Sequence, residues 1–469
     1  MSDKINDIDL TIKEWHDEWK RNRDFVEGAR SIKGEKRRTK YLPREPGLTD
    51  AQHKSIVART PFFPGASRAH DGLIGLIFRK PATIAAPPSA ATILETITPD
   101  FLTIDDLAEE VTSEFLITNF VGLLVDQPVS SGAQSLADAE KSGARPFVAV
   151  YRAEAILGIE PGLIAGRVQI VRVRLQDDDN AIRELRLVDG RYTVTIWMRA
   201  DDGSDYIAGP TITPTRNGVP INGIPFTLVS SNRRFAPAKA KLADVCDLNA
   251  QHYIASSNLA QCDFFVSHPT PYLFGPAKVA ELSLAPGAFI QGEVKSGNDI
   301  RIGMLEYSGT AIDKLAARVA KLDGDMAKVS SRILAEEKAS VESAETMRVR
   351  MASENAALAS TARLVSRKIT DALKWVAYWL GLEEGSISYE ANTDYGNAAL
   401  TKDEITVRAS LYTSGVISKD AFLDMLIDGE VLPETFDKEA DADRIAQEVA
   451  DRPPVDAALP PADEDDDAA

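Results

Sequence analysis

Between residues 310 and 380 the chain carries no proline and one glycine, Gly324, and is dense in Ala, Glu, Lys, Arg and Leu. Those residues favour helix at nearly every position. Ile312, Leu315, Val319, Leu322, Met326, Val329 and Ile333 recur at alternating spacings of three and four, the stripe of a helix that packs along its length. The second half repeats the pattern through Leu358, Val365, Ile369, Leu373, Val376 and Leu380, and ends in the aromatic cluster Trp375, Tyr378 and Trp379. At 1.5 Å per residue these are two consecutive helices of roughly 30 to 50 Å. Rods of that length point to a body that belongs to a larger assembly, one in which copies of the chain supply the missing burial partner.

Elsewhere the period changes. Residues 147–151, 167–175, 182–188, 192–198 and 225–229 alternate like strands, with Asp189-Gly190 and Asp202-Gly203 as turns, and predict one antiparallel meander of about ninety residues. Residues 101–126 read as an amphipathic helix running into a strand at 121–125. Thr49-Asp50 opens a helix, and Pro61, Pro64 and Gly65 divide 51–80 into two helical pieces. Residues 238–265 form a helix without Gly or Pro that carries Asn249, Gln251, Ser256, Ser257, Asn258 and Gln261. Neutral polar groups in that number suit a helix facing solvent, or one packed against identical neighbours. Residues 266–309, with four prolines and six glycines, return to short strands and turns.

With 469 residues, 44 % of them apolar, the chain has room for two or three domains. No apolar run reaches the ~20 residues that span a bilayer, and the first twenty residues do not resemble a targeting peptide, so a soluble protein made inside the cell is expected. Net charge is −18, and residues 437–469 hold twelve acidic against three basic side chains. That stretch reads as a disordered acidic tail. Residues 1–44 are slightly basic and read as a polar helix followed by a solvated arm at 33–40 (KGEKRRTK). So acidic a chain can surround DNA more readily than grip it.

Chemistry is hard to find. There is no G-x-x-x-x-G-K-[ST] phosphate loop, no G-x-G-x-x-G after a strand, no G-x-S-x-G elbow and no H-E-x-x-H helix. Cys246 and Cys262 have no neighbouring Cys or His to complete a zinc set. His16, His53, His70, His252 and His268 are scattered, and His252 reads as a hydrogen-bonding surface residue. Asp177, Asp178 and Asp179 read as a solvated turn, and the Trp375 to Trp379 cluster as core where the last long helix docks. No catalytic residue, cofactor or metal ligand is expected, and the chain is not expected to be an enzyme.

The order of these elements resembles the portal proteins of tailed bacteriophages, and more closely a portal-like family long catalogued as a phage domain of unknown function. The likeness is carried by residues 41–43 (YLP), 59–81 with its GASRAHDGLIGLIFRKP core, 119–126 (NFVGLLVD) and 145–156 (RPFVAVYRAEAI). It continues through Ile224, Pro225 and Phe226, the polar helix from Leu248 and Asn249 to Ser257 and Asn258, and the long helices with 342–345 (ESAE) before the second. It spans roughly residues 41–430. The polar, alanine-rich stretch between the long helices departs from the family.

The resemblance implies an α+β, mainly α portal fold with wing, stem, clip and crown regions, assembled as a ring of about twelve copies at one capsid vertex. After the N-terminal helix and arm (1–44), the wing would be residues 45–235 and the first stem helix 236–265. The clip would be 266–309, the second stem helix 310–334, the tunnel loop 335–344 and the long wing helix 345–382. The crown would be 383–436, ahead of the tail at 437–469. Such a ring is the channel for viral DNA packaging and ejection. Its implied partners are double-stranded viral DNA, a terminase ATPase, head-completion or adaptor and tail proteins, the major capsid protein and a scaffold, without a membrane. Its place is the virion's portal vertex, and the host cytoplasm during assembly. Lys314, Arg318, Lys321, Lys328, Arg332 and Lys338 become DNA-channel candidates, although ion pairs with Asp313, Asp323, Asp325 and Glu336 would equally occupy them. Two other readings stand beside this one. The first is a different phage head or tail component, a minor capsid or connector protein built on a helical rod. The second is an enzyme with a long regulatory coiled coil.

Overall fold

The computed structural model describes residues 4–127, 145–203, 205–232, 234–267, 270–275, 290–293, 301–305, 310–334, 344–393, 395, 402–429, 431–433 and 435–450. It divides into two compact units, residues 1–395 and 396–469.

The first unit is organised around a three-stranded antiparallel sheet. Its central strand β1 (Val121–Asp126) lies between β2 (Phe147–Tyr151) and β3 (Phe226–Val229). In β1, residues Val121 to Val125 are buried, as a strand covered on both faces must be. Gly122 lets two layers meet there: a Cβ at that position would stand 2.7 Å from the Phe226 ring. The strand follows helix α1 (Ile104–Thr118), opened by a capping box between Thr103 and Asp106 and closed by Asn119 in the left-handed conformation at φ 54°.

Beside this sheet a five-stranded meander runs through Ile156–Ile164, Arg167–Gln176, Ala181–Val188, Arg191–Arg199 and Tyr206–Ile212, each strand pairing with the next. The single meander expected from the alternation is thus two sheets. Residues 147–151 and 226–229 pair with Val121–Asp126 instead, because their inward faces join the core under the long helices.

The N-terminal segment is core rather than surface. In the helix His16–Glu27, Trp19 and Phe25 are fully buried, and Trp19 stacks on Phe120 at 5.6 Å. Arg23 binds Glu114 at 2.7 Å and Glu154 at 2.9 Å, tying this helix to α1. The basic arm is tied down at three of its cations, although Lys36, Arg37 and Lys40 stay exposed. Arg37 pairs with the buried Asp24 at 2.8 Å, Arg38 with Asp50 at 2.7 Å, and Lys33 Nζ donates to the Thr60 carbonyl at 2.6 Å. Lys33, Arg37 and Arg38 have an acid or a carbonyl within reach, which the local charge run does not reveal.

Two helical pieces, Asp50–Arg59 and Gly65–Ile77, flank the proline kink. Helix α2 (Ala243–Ser267) packs on both of them. Strands Thr270–Gly275, Ile290–Glu293 and Arg301–Leu305 then form a small mixed sheet with the first of them central. Helices α3 (Thr310–Leu334) and α4 (Ala344–Leu380) follow. The C-terminal half of α4 is covered by its own chain. Leu358, Val365, Ile369, Leu373 and Val376 are buried against α1, β1 and β3, and Trp375, Tyr378 and Trp379 lie half-buried beside them. Burying each such aliphatic side chain contributes about 1.5–3 kcal/mol. That half of the rod therefore needs no copy of itself, contrary to the expectation from its length.

Ser388–Glu390 pairs with Thr83–Ala85, so residues 383–395, expected in a crown, belong to the first unit. The second unit contains helices Lys402–Thr413, Lys419–Asp428 and Lys438–Ala450. In it Tyr412 stacks on Phe422 at 5.2 Å, and Lys438 pairs with Asp424. The start of the expected disordered tail is thus helical: Ala, Glu and Arg are strong helix formers, and the acidic side chains of its first turn complement the helix dipole. The rest of that tail, 451–469, and residues 335–343 of the tunnel loop expected at 335–344 lie outside the described residues.

Candidate functional site: the paired helices

Helices α2 and α3 lie against each other, with the three-stranded sheet of residues 270–305 inserted between them in the chain. Their contact is built on the proline kink. The backbone between Arg59 and Gly65 cannot complete helical hydrogen bonds, so its polar groups need outside partners. Asn249, fully buried on α2, supplies two of them. Its amide Nδ2 donates to the Phe63 carbonyl at 2.9 Å, and its Oδ1 accepts the Ala66 N–H at 2.9 Å. Ser257 accepts a hydrogen bond from Thr60 Oγ1 at 3.2 Å. Of the polar groups that looked like an interface to other copies, Asn249 and Ser257 are satisfied inside the chain, while Gln251 and Asn258 are exposed.

His252 lies on the same face, 5 % exposed and not at the surface. Its Nε2 is 2.9 Å from Asp323 Oδ1 on α3, its Nδ1 is 3.4 Å from Ser256 Oγ, and its ring packs 5.5 Å from Phe63. Burial holds the imidazole pKa below its ordinary value, and the neighbouring Asp323 carboxylate offsets this only in part. A cleft of ≈ 360 Å³ opens beside the pair, between Phe63, Leu259 and Val319. His252 and Asp323 thus form a titratable link between the two helices.

On α3 the apolar stripe turns toward α2. Leu322 and Met326 are buried, while Ile312, Leu315, Val319 and Val329 are half-buried. The basic candidates take another face. Lys314, Arg318, Lys321 and Lys328 are all exposed, and steps of four, three and seven place them on one side of the helix. Lys328 lies 3.6 Å from Asp325, an exposed pair worth little. Asp323, considered as their counter-ion, faces His252 instead. Among the described residues no carboxylate lies within ion-pair distance of Lys314, Arg318 or Lys321. The Arg332 side chain and Lys338 lie outside the described residues. The pair also leaves large apolar groups in solvent on α2, Ile254 at 42 % exposure and Phe265 at 45 %.

The remaining sequence candidates stay apart from this site. Asp177 accepts from Tyr151 Oη at 2.6 Å and binds Arg183 at 3.0 Å, while the Asp178 carboxylate accepts the Asn180 N–H at 2.7 Å to close the turn. Cys246 is buried, where desolvation pushes its thiol up to about 12. Among the described residues no group of three His, Cys, Asp or Glu side chains could hold a metal, and no helix is long and apolar enough to cross a membrane. The roles of Asn249 and His252 were not legible locally, because their partners lie 183 and 71 residues away.

The family model described as "Domain of unknown function (DUF4055)" matches residues 241–380, the stretch from α2 through α4. No curated protein matches the chain. Among solved structures, a chain in the neck of an empty gene transfer agent particle, computed with C6 symmetry, is similar at TM-score 0.40 and 12 % identity, over 85 % of this chain and 98 % of that one. A chain in the virion of the native gene transfer agent is similar at TM-score 0.38 and 12 % identity, over 80 % and 92 %. A chain in the native particle's neck, computed with C12 symmetry, is similar at TM-score 0.34 and 12 % identity, over 80 % and 93 %. Superposition this loose is no basis for assigning a role.

Proposed function

We propose that this chain is a bacteriophage portal subunit: copies associate around an axis at one capsid vertex, and α2 and α3 line a channel through which viral DNA is packaged and ejected. The observation that carries the reading is the helix pair itself. Two 25-residue helices enclose a small sheet in sequence and bury only part of their own surface. They present Lys314, Arg318 and Lys321 in a row, with no carboxylate in ion-pair distance among the described residues, beside exposed apolar groups. Ile254 and Phe265 would be covered by the next copy, and Lys314, Arg318 and Lys321 would face the bore. A few scattered cations in a chain of net charge −18 suit a surface past which a polyanion slides without being held. In this role the protein is a passive conduit without chemistry of its own. The inserted sheet is the natural place to meet a packaging ATPase and, later, head-completion and tail proteins.

Negative-stain microscopy of the purified chain tests the reading. It expects rings with a central hole wide enough for duplex DNA. Dimeric rods would point to another head or tail component instead, and compact monomers would end the proposal.

A further inference from the structure

A second cluster of cations lies away from the helix pair, where α4 passes the loop that follows β3. One wall of a ≈ 540 Å³ cleft there is Ser360, Arg363, Arg367 and Lys368, which share one face of α4; the other is Ser230, Ser231 and Asn232. A cleft of this size holds a phosphate together with the sugar it is attached to.

The loop is held rigidly. Asn119, the left-handed cap of α1, accepts the Ser231 N–H at 2.9 Å and donates to Ser231 Oγ at 2.7 Å and to the Lys239 carbonyl at 2.9 Å. Ser230 Oγ accepts the Asn232 N–H at 3.1 Å and donates to the Ala236 carbonyl at 3.2 Å. Phe235, at the lip, has φ 56°, a left-handed conformation that costs a bulky residue of order 1 kcal/mol or more and persists where surroundings enforce it.

Among the described residues the charges facing this loop lack an ion-pair partner. Arg363 and Arg367 are exposed and one helical turn apart, and Arg363 uses only its Nε, donating to the Ala359 carbonyl at 3.2 Å. Among the described residues no carboxylate lies within ion-pair distance of Arg363, Arg367 or Lys368. The neighbouring Asp371 is taken by Lys374 at 2.9 Å. Burial lowers the Lys368 pKa, so its charge is held at a cost that an anion would offset. Three cations gathered with no carboxylate in ion-pair distance among the described residues repel one another, and in a chain of net charge −18 this is a local reversal of sign.

We propose that this cleft binds the phosphates of a nucleic-acid backbone. Two guanidinium forks on adjacent turns, with Cβ atoms about 5–6 Å apart, can take successive phosphates bidentately. Lys368 adds a third charge, and the Ser230 to Asn232 loop adds neutral polar groups. A nucleic-acid strand carries a phosphate at every step, so one strand can answer all three cations at once. Contacts from cationic side chains to phosphate carry no base information, so binding should be independent of sequence. The inference goes beyond the channel reading and does not require a ring.

The test is fluorescence anisotropy of a short labelled DNA duplex on the full chain and on Arg363→Gln/Arg367→Gln, across a salt series. We expect affinity at low salt to fall about tenfold or more in the variant. The slope of log affinity against log salt should shrink by about 0.9 for each phosphate that is no longer neutralised. Both side chains are exposed, so the fold should survive, and Arg363→Lys/Arg367→Lys should retain most of the affinity. Failure of the wild type to bind DNA, or equal affinity and slope in the double Gln variant, would overturn the proposal. Loss of self-association in that variant with DNA affinity intact would overturn it too, by showing that the cleft receives a second copy of the chain. Micrographs of the same samples separate the two ideas, because rings can form whether or not this cleft holds phosphate.

Discussion

Asn249 is the side chain on which the paired helices depend most. It closes two backbone groups that the proline kink leaves open, so Asn249→Leu should strand both of them at about 1–3 kcal/mol each. Urea unfolding should show that loss, and an unchanged midpoint would mean the kink is held by packing alone. His252 makes a pH-dependent contribution whose sign follows from burial. Its folded pKa lies below the unfolded value of 6.5, so the unfolded chain takes up a proton there that the folded chain does not. The stability supplied by the neutral ring is therefore complete above pH 6.5 and declines as pH falls below it. In His252→Gln this dependence should vanish, and the stability gap between wild type and variant should narrow as pH drops. A gap that widens under acid would instead mean that the protonated ring and Asp323 form the stronger contact. Arg23 is a third such point. Removing it leaves the nearly buried Glu114 with only the exposed Arg152, 3.2 Å away, so Arg23→Met should destabilise the first unit by about 3 kcal/mol or more in thermal or urea unfolding.

Elements announce themselves in this sequence more readily than their partners do. The stripe from Ile312 to Val329 and the run from Leu358 to Leu380 are plain as helices, because three- and four-residue spacing is a local property. What covers them is not local. The sheet and α1 that sheathe the end of α4 come from well over a hundred residues earlier, and no periodicity records that meeting. Strands Ile156–Ile164 and Tyr206–Ile212 escaped notice for a different reason. They contain Gly158, Pro161, Gly162, Gly209 and Pro210, which read as turn residues, and they can carry them because they are the two edges of the meander. The exposed cations of α3 could be named in advance, but which of them lack an acid could not, since Asp323 turns inward to His252. At this scale the basic row should leave assembly untouched. Lys314→Gln/Arg318→Gln/Lys321→Gln should form the same rings by microscopy, and loss of rings would place these side chains at subunit contacts rather than in the bore.

For the whole molecule, the division at residue 395 has a direct consequence. A chain ending at Tyr395 keeps three hydrophobic core clusters and all three larger sheets, so it should show a cooperative unfolding transition of its own by circular dichroism. A non-cooperative melt would mean that the first unit relies on the second. The larger question is why a chain that covers the C-terminal half of α4 so well leaves the α2 and α3 pair half-dressed. Association through that pair around a common axis answers it, and the mass of the purified protein in solution is the most direct measure. The account predicts one dominant species at about twelve protomer masses, the size of the proposed closed ring. A well-folded species at a single protomer mass, unchanged at high concentration, would contradict it.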